Sequence, residues 1–222
     1  MDSMEAVQEH HFSLPRPRLR GRLHQIAFLL TLPAGVTLVA AAQSLVSRIA
    51  VALFAASLSG LYAASAALHR VAWRPQVLRW MRSLDYSAIF VLIASTHTAF
   101  ALLTLRGPWA TVSLAGVWTL ALFGMTLKLV NVNGFRRLVP SLYLGMGWVA
   151  ALFLPWIVSA LGPVKTGLLF LGGLSYTLGF VVLTRRRPDP WPMVFGYYEI
   201  WHAAVVVGSA CHFAVIAMLA LG

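Results

Sequence analysis

The sequence predicts an all-α, polytopic integral membrane protein with seven transmembrane helices, its N-terminus cytoplasmic and its C-terminus outside. Three observations carry this. Of 222 residues, 59% are apolar and 10% charged, whereas soluble domains carry about 25% charged residues. Uncharged apolar stretches recur along the chain, each near the ~20 residues needed to cross a hydrocarbon core. The basic residues alternate between heavily and lightly charged connections, with fourteen of the 17 on one side.

Residues 1–23 read as a basic cytoplasmic tail in which Arg16, Arg18, Arg20 and Arg22 precede the first apolar run. That run has spanning length and no small-residue cleavage site, so it is a span rather than a signal peptide. The adjacent His10 and His11 in the tail read as inert. The seven-helix domain occupies 24–222, with spans at about 25–46, 49–68, 84–105, 109–130, 138–160, 165–184 and 198–221. Pro33 and Pro155 fall inside spans one and five and predict kinks there. Ahead of span three, LRWMRSLD (Leu78–Asp85) reads as a short amphipathic interfacial helix. Trp73, Trp80, Trp109 and Trp191 stand near span ends, as an aromatic belt requires. Gly172, Gly173 and Gly179 predict close helix packing along span six.

The charge count fixes the topology. One set of segments holds the tail arginines, Arg70, Arg74, Arg79, Arg82, Lys128, Arg136, Arg137 and Arg185 to Arg187. The other set holds only Arg48, Arg106 and Lys165. Basic residues stay cytoplasmic, so the tail is inside, and an odd number of spans places the C-terminus outside. The net charge of +11 therefore reflects orientation and anionic headgroups rather than nucleic-acid binding. The single Cys211 excludes an intrachain disulfide and a paired-cysteine metal site. No Walker, Rossmann or GxSxG motif is present.

Chemistry must come from the few polar groups in the spans. Ionisable side chains are costly in a bilayer, face the bundle interior, and mark sites. Only Asp85 and Glu199, of six acidic residues, lie at or inside span ends. His69 closes span two, Asp85 opens span three, and Glu199 and His202 open span seven. The topology brings all of these to the cytoplasmic face. Ser65 is four residues before His69, on the same helix face. Two imidazoles, a carboxylate and a water form a catalytic zinc set. The alternative is a row of interfacial groups, with Asp85 paired to Arg82. His97 lies twelve residues beyond Asp85 and His212 ten beyond His202, ~18 Å and ~15 Å along their helices. Both belong to the outer leaflet, as isolated polar contacts or as a pair.

Four stretches carry a family resemblance: Ser65-Ala-Ala-Leu-His69, SLDYSAIFVLIAS (Ser83–Ser95), GGLSYTLG (Gly172–Gly179) and FGYYEIWHAAVVVGSACHF (Phe195–Phe213). In this order and spacing, from about residue 22 onward, the chain resembles the hemolysin III proteins, which belong with the progestin and adipoQ receptors. The resemblance implies seven helices with a cytoplasmic N-terminus. It also implies a zinc ion near the cytoplasmic side, held by one histidine from S-x-x-x-H and two from H-x-x-x-H on the last helix. Carried over, His69 and His202 are the metal ligands, Asp85 holds the metal-bound water and Ser65 stands beside it. Tyr198 occupies the position where the pattern expects a third histidine. A phenol with a pKa near 10 is a poor ligand unless the metal deprotonates it. Span one departs too: where the family shows Asn and then Thr-His, this chain has Phe28 and Thr31-Leu32.

The resemblance implies a zinc-dependent membrane hydrolase of a lipid-like amide or ester, with Asp85 and Ser65 as catalytic groups. The alternative is a non-enzymatic receptor for a lipid or small apolar ligand, or a pore-forming cytolysin. Membrane lipid is the expected partner in every case.

Overall fold

The computed structural model describes residues 17–131, 135 and 138–222, apart from the side chains of Ala150 and Ala151. The His10–His11 pair lies outside the described residues. Seven helices follow one another: α1 (Arg22–Ala41), α2 (Leu45–Arg70), α3 (Pro75–Thr104), α4 (Pro108–Val130), α5 (Leu138–Leu152), α6 (Leu154–Arg185) and α7 (Tyr197–Leu221). Among the described residues there is no strand, only an isolated bridge between Trp191 and Phe195. Six of the helices are long and apolar enough to cross a membrane; α5, at 15 residues, is shorter.

The apparent mismatch resolves at Gly162. At 32 residues α6 would extend ~48 Å, well beyond a ~30 Å hydrocarbon core. Gly162 breaks it with φ 71° and ψ 172°, a conformation that glycine adopts without steric cost, and Pro163 restarts the helix. Before the break, Trp156 stacks near Trp109, at the end of the bundle with few arginines. After it, the chain runs back to Arg185, antiparallel to α7. Tyr176 meets Ser209 at 2.8 Å, and Ser175 donates to the Ala204 carbonyl at 2.8 Å. The fifth crossing is therefore α5 plus the first turns of α6, and the sixth is the remainder of α6.

Other boundaries shift for local reasons. The first span ends at Ala41, because Ser44 caps α2 by accepting the Ser47 N–H at 3.0 Å. LRWMRSLD is not a separate interfacial helix: α3 starts at Pro75 and runs unbroken through it for 30 residues. Proline at the first turn needs no N–H partner, which fixes that start. Pro33 does lie inside α1, but Pro155 falls at the first turn of α6 after an irregular Phe153.

Packing follows the small residues. A Cβ on Gly35 would sit 2.7 Å from that of Ala55, so α1 and α2 approach backbone to backbone. Gly124 makes room for the Phe90 ring. Gly179 leaves space for Ala204 and Trp201, and Gly172 for His212. Gly173 has nothing within 4 Å of where its Cβ would be, so it plays no part in the α6–α7 contact expected of it. The larger core joins α1, α2, α3 and α7 around Phe54, Leu58 and Val215; a smaller one joins α3, α4 and α5 around Phe90 and Val117. Hydroxyls in apolar surroundings turn back on their own helix, as with Thr98 to Ala94 and Thr96 to Leu92. Large apolar side chains such as Leu30 and Val130 face outward, as lipid contact demands.

Candidate functional site

The arginine-rich end of the bundle holds a buried polar cluster. His69 closes α2 and is 4% exposed; His202, one turn into α7, is 3% exposed. Their ring centroids are 5.2 Å apart. Tyr198, four residues before His202, turns its ring to both, with centroids 4.9 Å from His202 and 5.3 Å from His69. Asp85 is buried on α3, neighbours Tyr198, and has Ser65 within hydrogen-bonding reach. Among the described residues no ion pair links Asp85 to Arg82. The residues singled out from sequence thus converge from α2, α3 and α7.

A third imidazole was not foreseen. His24, in the first turn of α1, is 3% exposed, and its ring centroid lies 4.3 Å from that of His202. Its other neighbour is Tyr62, at 4.9 Å. Among the described residues neither His24 ring nitrogen has a hydrogen-bond partner. Burying such groups unpaired costs free energy that a ligand, ion or water recovers. The expected first span began at 25, one residue too late to include it. Its signal in the sequence was position: His24 follows Arg22 by two residues, at the depth the charge count assigns to His69 and Asp85. Span one therefore does supply a histidine, at a different place from Thr31-Leu32.

Two features press α1 onto this cluster. Gly21 has φ 77°, and a Cβ there would lie 2.8 Å from the His69 Cβ. The preceding arm lies along the loop before α7, with Arg18 N–H donating to Met193 O at 3.0 Å and Leu19 N–H to Val194 O at 3.3 Å. Arg20 then reaches Glu199, Nε to Oε1 at 2.5 Å, and its guanidinium lies 4.5 Å from the Tyr198 ring centroid. The other Glu199 oxygen accepts the Gly196 N–H at 2.9 Å. Glu199 therefore closes the start of α7 and holds the arm, and does not take the place of the missing histidine.

Above the cluster opens a cavity of about 1390 Å³. His24, His69, Asp85, Tyr198 and His202 line one end of it, and Ile89, Leu92, Ile93 and Val205 line its middle. His97 and His212 line the far end. These two do share a region: His212 stands 5.7 Å from Phe100, one turn along α3 from His97. Among the described residues no three His, Cys, Asp or Glu side chains stand in metal-ligating geometry.

The Haemolysin-III related family matches residues 12–213. The chain is similar to the Hemolysin-3 homolog of Bacillus subtilis, 34% identical over 193 residues, covering 86% of this chain and 87% of that protein. It is also similar to Hemolysin-3 of Bacillus cereus, 33% identical over 193 residues, covering 86% and 85%. The Monocyte to macrophage differentiation factor of Homo sapiens is 25% identical over 165 residues, covering 72% of this chain and 66% of that protein. With a family match over most of its length and relatives above 30% identity, the chain belongs to the haemolysin-III related family of multi-pass membrane proteins.

Proposed function

We propose that this protein is a zinc-dependent hydrolase of a lipid-like amide or ester. Its reactive centre is the cluster at the arginine-rich end, which faces the cytoplasm. The observation that carries the reading is the joining of a large apolar cavity to a polar end that supplies imidazoles and a carboxylate. Such a cavity takes an acyl chain out of the bilayer and presents its polar group to the cluster.

The donor set suits zinc in kind, and two of its ring separations are close to those of a zinc site. Two imidazoles on one tetrahedral zinc, with Zn–N bonds of about 2.0 Å, hold their ring centroids about 5 Å apart. The separations are 4.3 Å for His24–His202 and 5.2 Å for His69–His202. The rings are not in ligating geometry, so zinc binding would require them to turn about their side-chain torsions. His24, whose ring nitrogens lack a partner among the described residues, would supply the imidazole that Tyr198 does not. Bound zinc would lower the pKa of a water and polarise the scissile carbonyl. Asp85, oriented by Ser65, would hold that water and take its proton. Tyr198, whose ring touches both His69 and His202, would donate its hydroxyl to the leaving or carbonyl oxygen. The apolar walls exclude bulk water from the reacting end.

Metal analysis of the chain purified without chelator tests this directly. About one zinc per chain is expected, falling severalfold in His24→Ala and in His202→Ala. A metal-free wild type sinks the hydrolase. The same cavity would then serve a receptor-like lipid-binding role, a reading favoured by the packing of the Tyr198 ring against both histidines. A pore is a poorer fit, because apolar side chains separate the two polar ends. A C-terminal tag accessible only from outside the cell would support the orientation.

A further inference from the structure

The far end of the cavity holds polar groups that the proposed reaction does not use. His97 is 4% exposed on α3, yet it lines the cavity, and among the described residues both its ring nitrogens lack a hydrogen-bond partner. His212 on α7 lines the same end; its Nε2 lies 3.4 Å from the Leu169 carbonyl, while its Nδ1 has no partner among the described residues. Gly172 makes room for it, since a Cβ there would stand 2.6 Å from the His212 ring. Three buried ring nitrogens without a partner among the described residues, at an end of the cavity walled largely by apolar side chains, are costly unless something hydrogen-bonds to them.

We propose that His97 and His212 form a subsite for a hydroxyl at the far end of the bound chain, so that the natural ligand is an amphiphile with polar groups at both ends. The inference rests on the cavity being a lipid site, and it adds the ligand's length and its second polar group. The spacing follows from the helices. His97 is ~18 Å beyond Asp85 and His212 ~15 Å beyond His202, at ~1.5 Å per residue. An extended chain advances about 1.2 Å per bond, so the two polar groups are about 12 to 15 bonds apart. A hydroxyl suits the end better than a carboxylate, because no cationic side chain lines that end among the described residues and an isolated buried carboxylate costs far more than a hydroxyl.

The test is equilibrium binding of two probes, tetradecanoate and ω-hydroxytetradecanoate, to the full chain in lipid nanodiscs. The ω-hydroxy form, with its two polar groups about fourteen bonds apart, is expected to bind about tenfold tighter, the effect of one buried hydrogen bond. ω-Hydroxydecanoate, too short to reach, should gain nothing over decanoate. In His97→Leu and in His212→Leu the ratio between the probes should fall toward one. Because the readout is a ratio within one preparation, a weakened variant still reports. Equal binding of the two probes to wild type overturns the subsite and means that water alone satisfies the nitrogens; the cavity reading then survives. A preference that persists in both variants overturns the assignment to these histidines. If neither probe binds, the lipid-site reading fails and this inference fails with it.

Discussion

Removing the charge of Arg20 should destabilise the protein more than removing the charge of its partner Glu199, and the two effects should not add. Glu199 is 1% exposed and its two oxygens are divided between the Arg20 guanidinium and the Gly196 N–H. Arg20 is 16% exposed. Arg20→Met keeps the apolar stem but strands a buried carboxylate with a single backbone donor. Breaking a buried pair from one side costs about 3–5 kcal/mol, and the low end, about 3 kcal/mol, fits a site whose cationic half touches solvent. Glu199→Gln keeps the shape and the acceptor for Gly196, and leaves a guanidinium able to swing to water; about 1 kcal/mol is expected, in the range of exposed pairs. The double variant strands no charge, so its cost should fall short of the sum by about 2 kcal/mol. Equilibrium unfolding in mixed micelles, followed by near-ultraviolet signal, measures all four proteins. Additivity within about 0.5 kcal/mol would refute the account, and so would a larger loss for Glu199→Gln than for Arg20→Met. The consequence for the site is direct, since the same guanidinium lies over the Tyr198 ring.

Two further outcomes follow from the geometry. Gly172→Ala forces the His212 ring away from a contact at 2.6 Å, whereas Gly173→Ala, one residue on, meets nothing within 4 Å; the first should lower thermal stability measurably and the second should leave it within about 0.5 kcal/mol of wild type, as an unstrained surface change does. If the cluster binds zinc as proposed, Tyr198→His, which restores the last-helix histidine pair beside His69, should raise zinc affinity by about tenfold, comparable to the smaller effects of changing a group next to a metal; an unchanged affinity in a chelator competition titration would refute a ligand position at residue 198.

The haemolysin-III fold and the place of the site were largely legible because they depend on quantities that a sequence states directly. Apolar run lengths set the number of crossings, through the cost of an unsatisfied backbone in lipid. The distribution of arginines put His69, Asp85 and His202 at one end. What failed to read were features set by contacts between segments remote in sequence. Gly173 looked like Gly172 in the sequence, but only one of them faces α7. LRWMRSLD carried the charge pattern of an interfacial helix, yet nothing in it breaks α3, so it continues into the span.

By itself, then, the sequence determined a seven-crossing membrane protein with His69, Asp85, Glu199 and His202 gathered at the arginine-rich end, because hydrophobic length and charge asymmetry are local sums. Only the tertiary structure decided that His24 joins His202, that Arg20 closes over Tyr198 through Glu199, and that one apolar cavity connects this cluster to His97 and His212. Those depend on how far each helix is rotated and how closely its neighbour approaches. Rotation and approach are set by side-chain packing between α1, α2, α6 and α7, such as the missing Cβ atoms of Gly21, Gly35 and Gly172, and the linear order of residues does not state it.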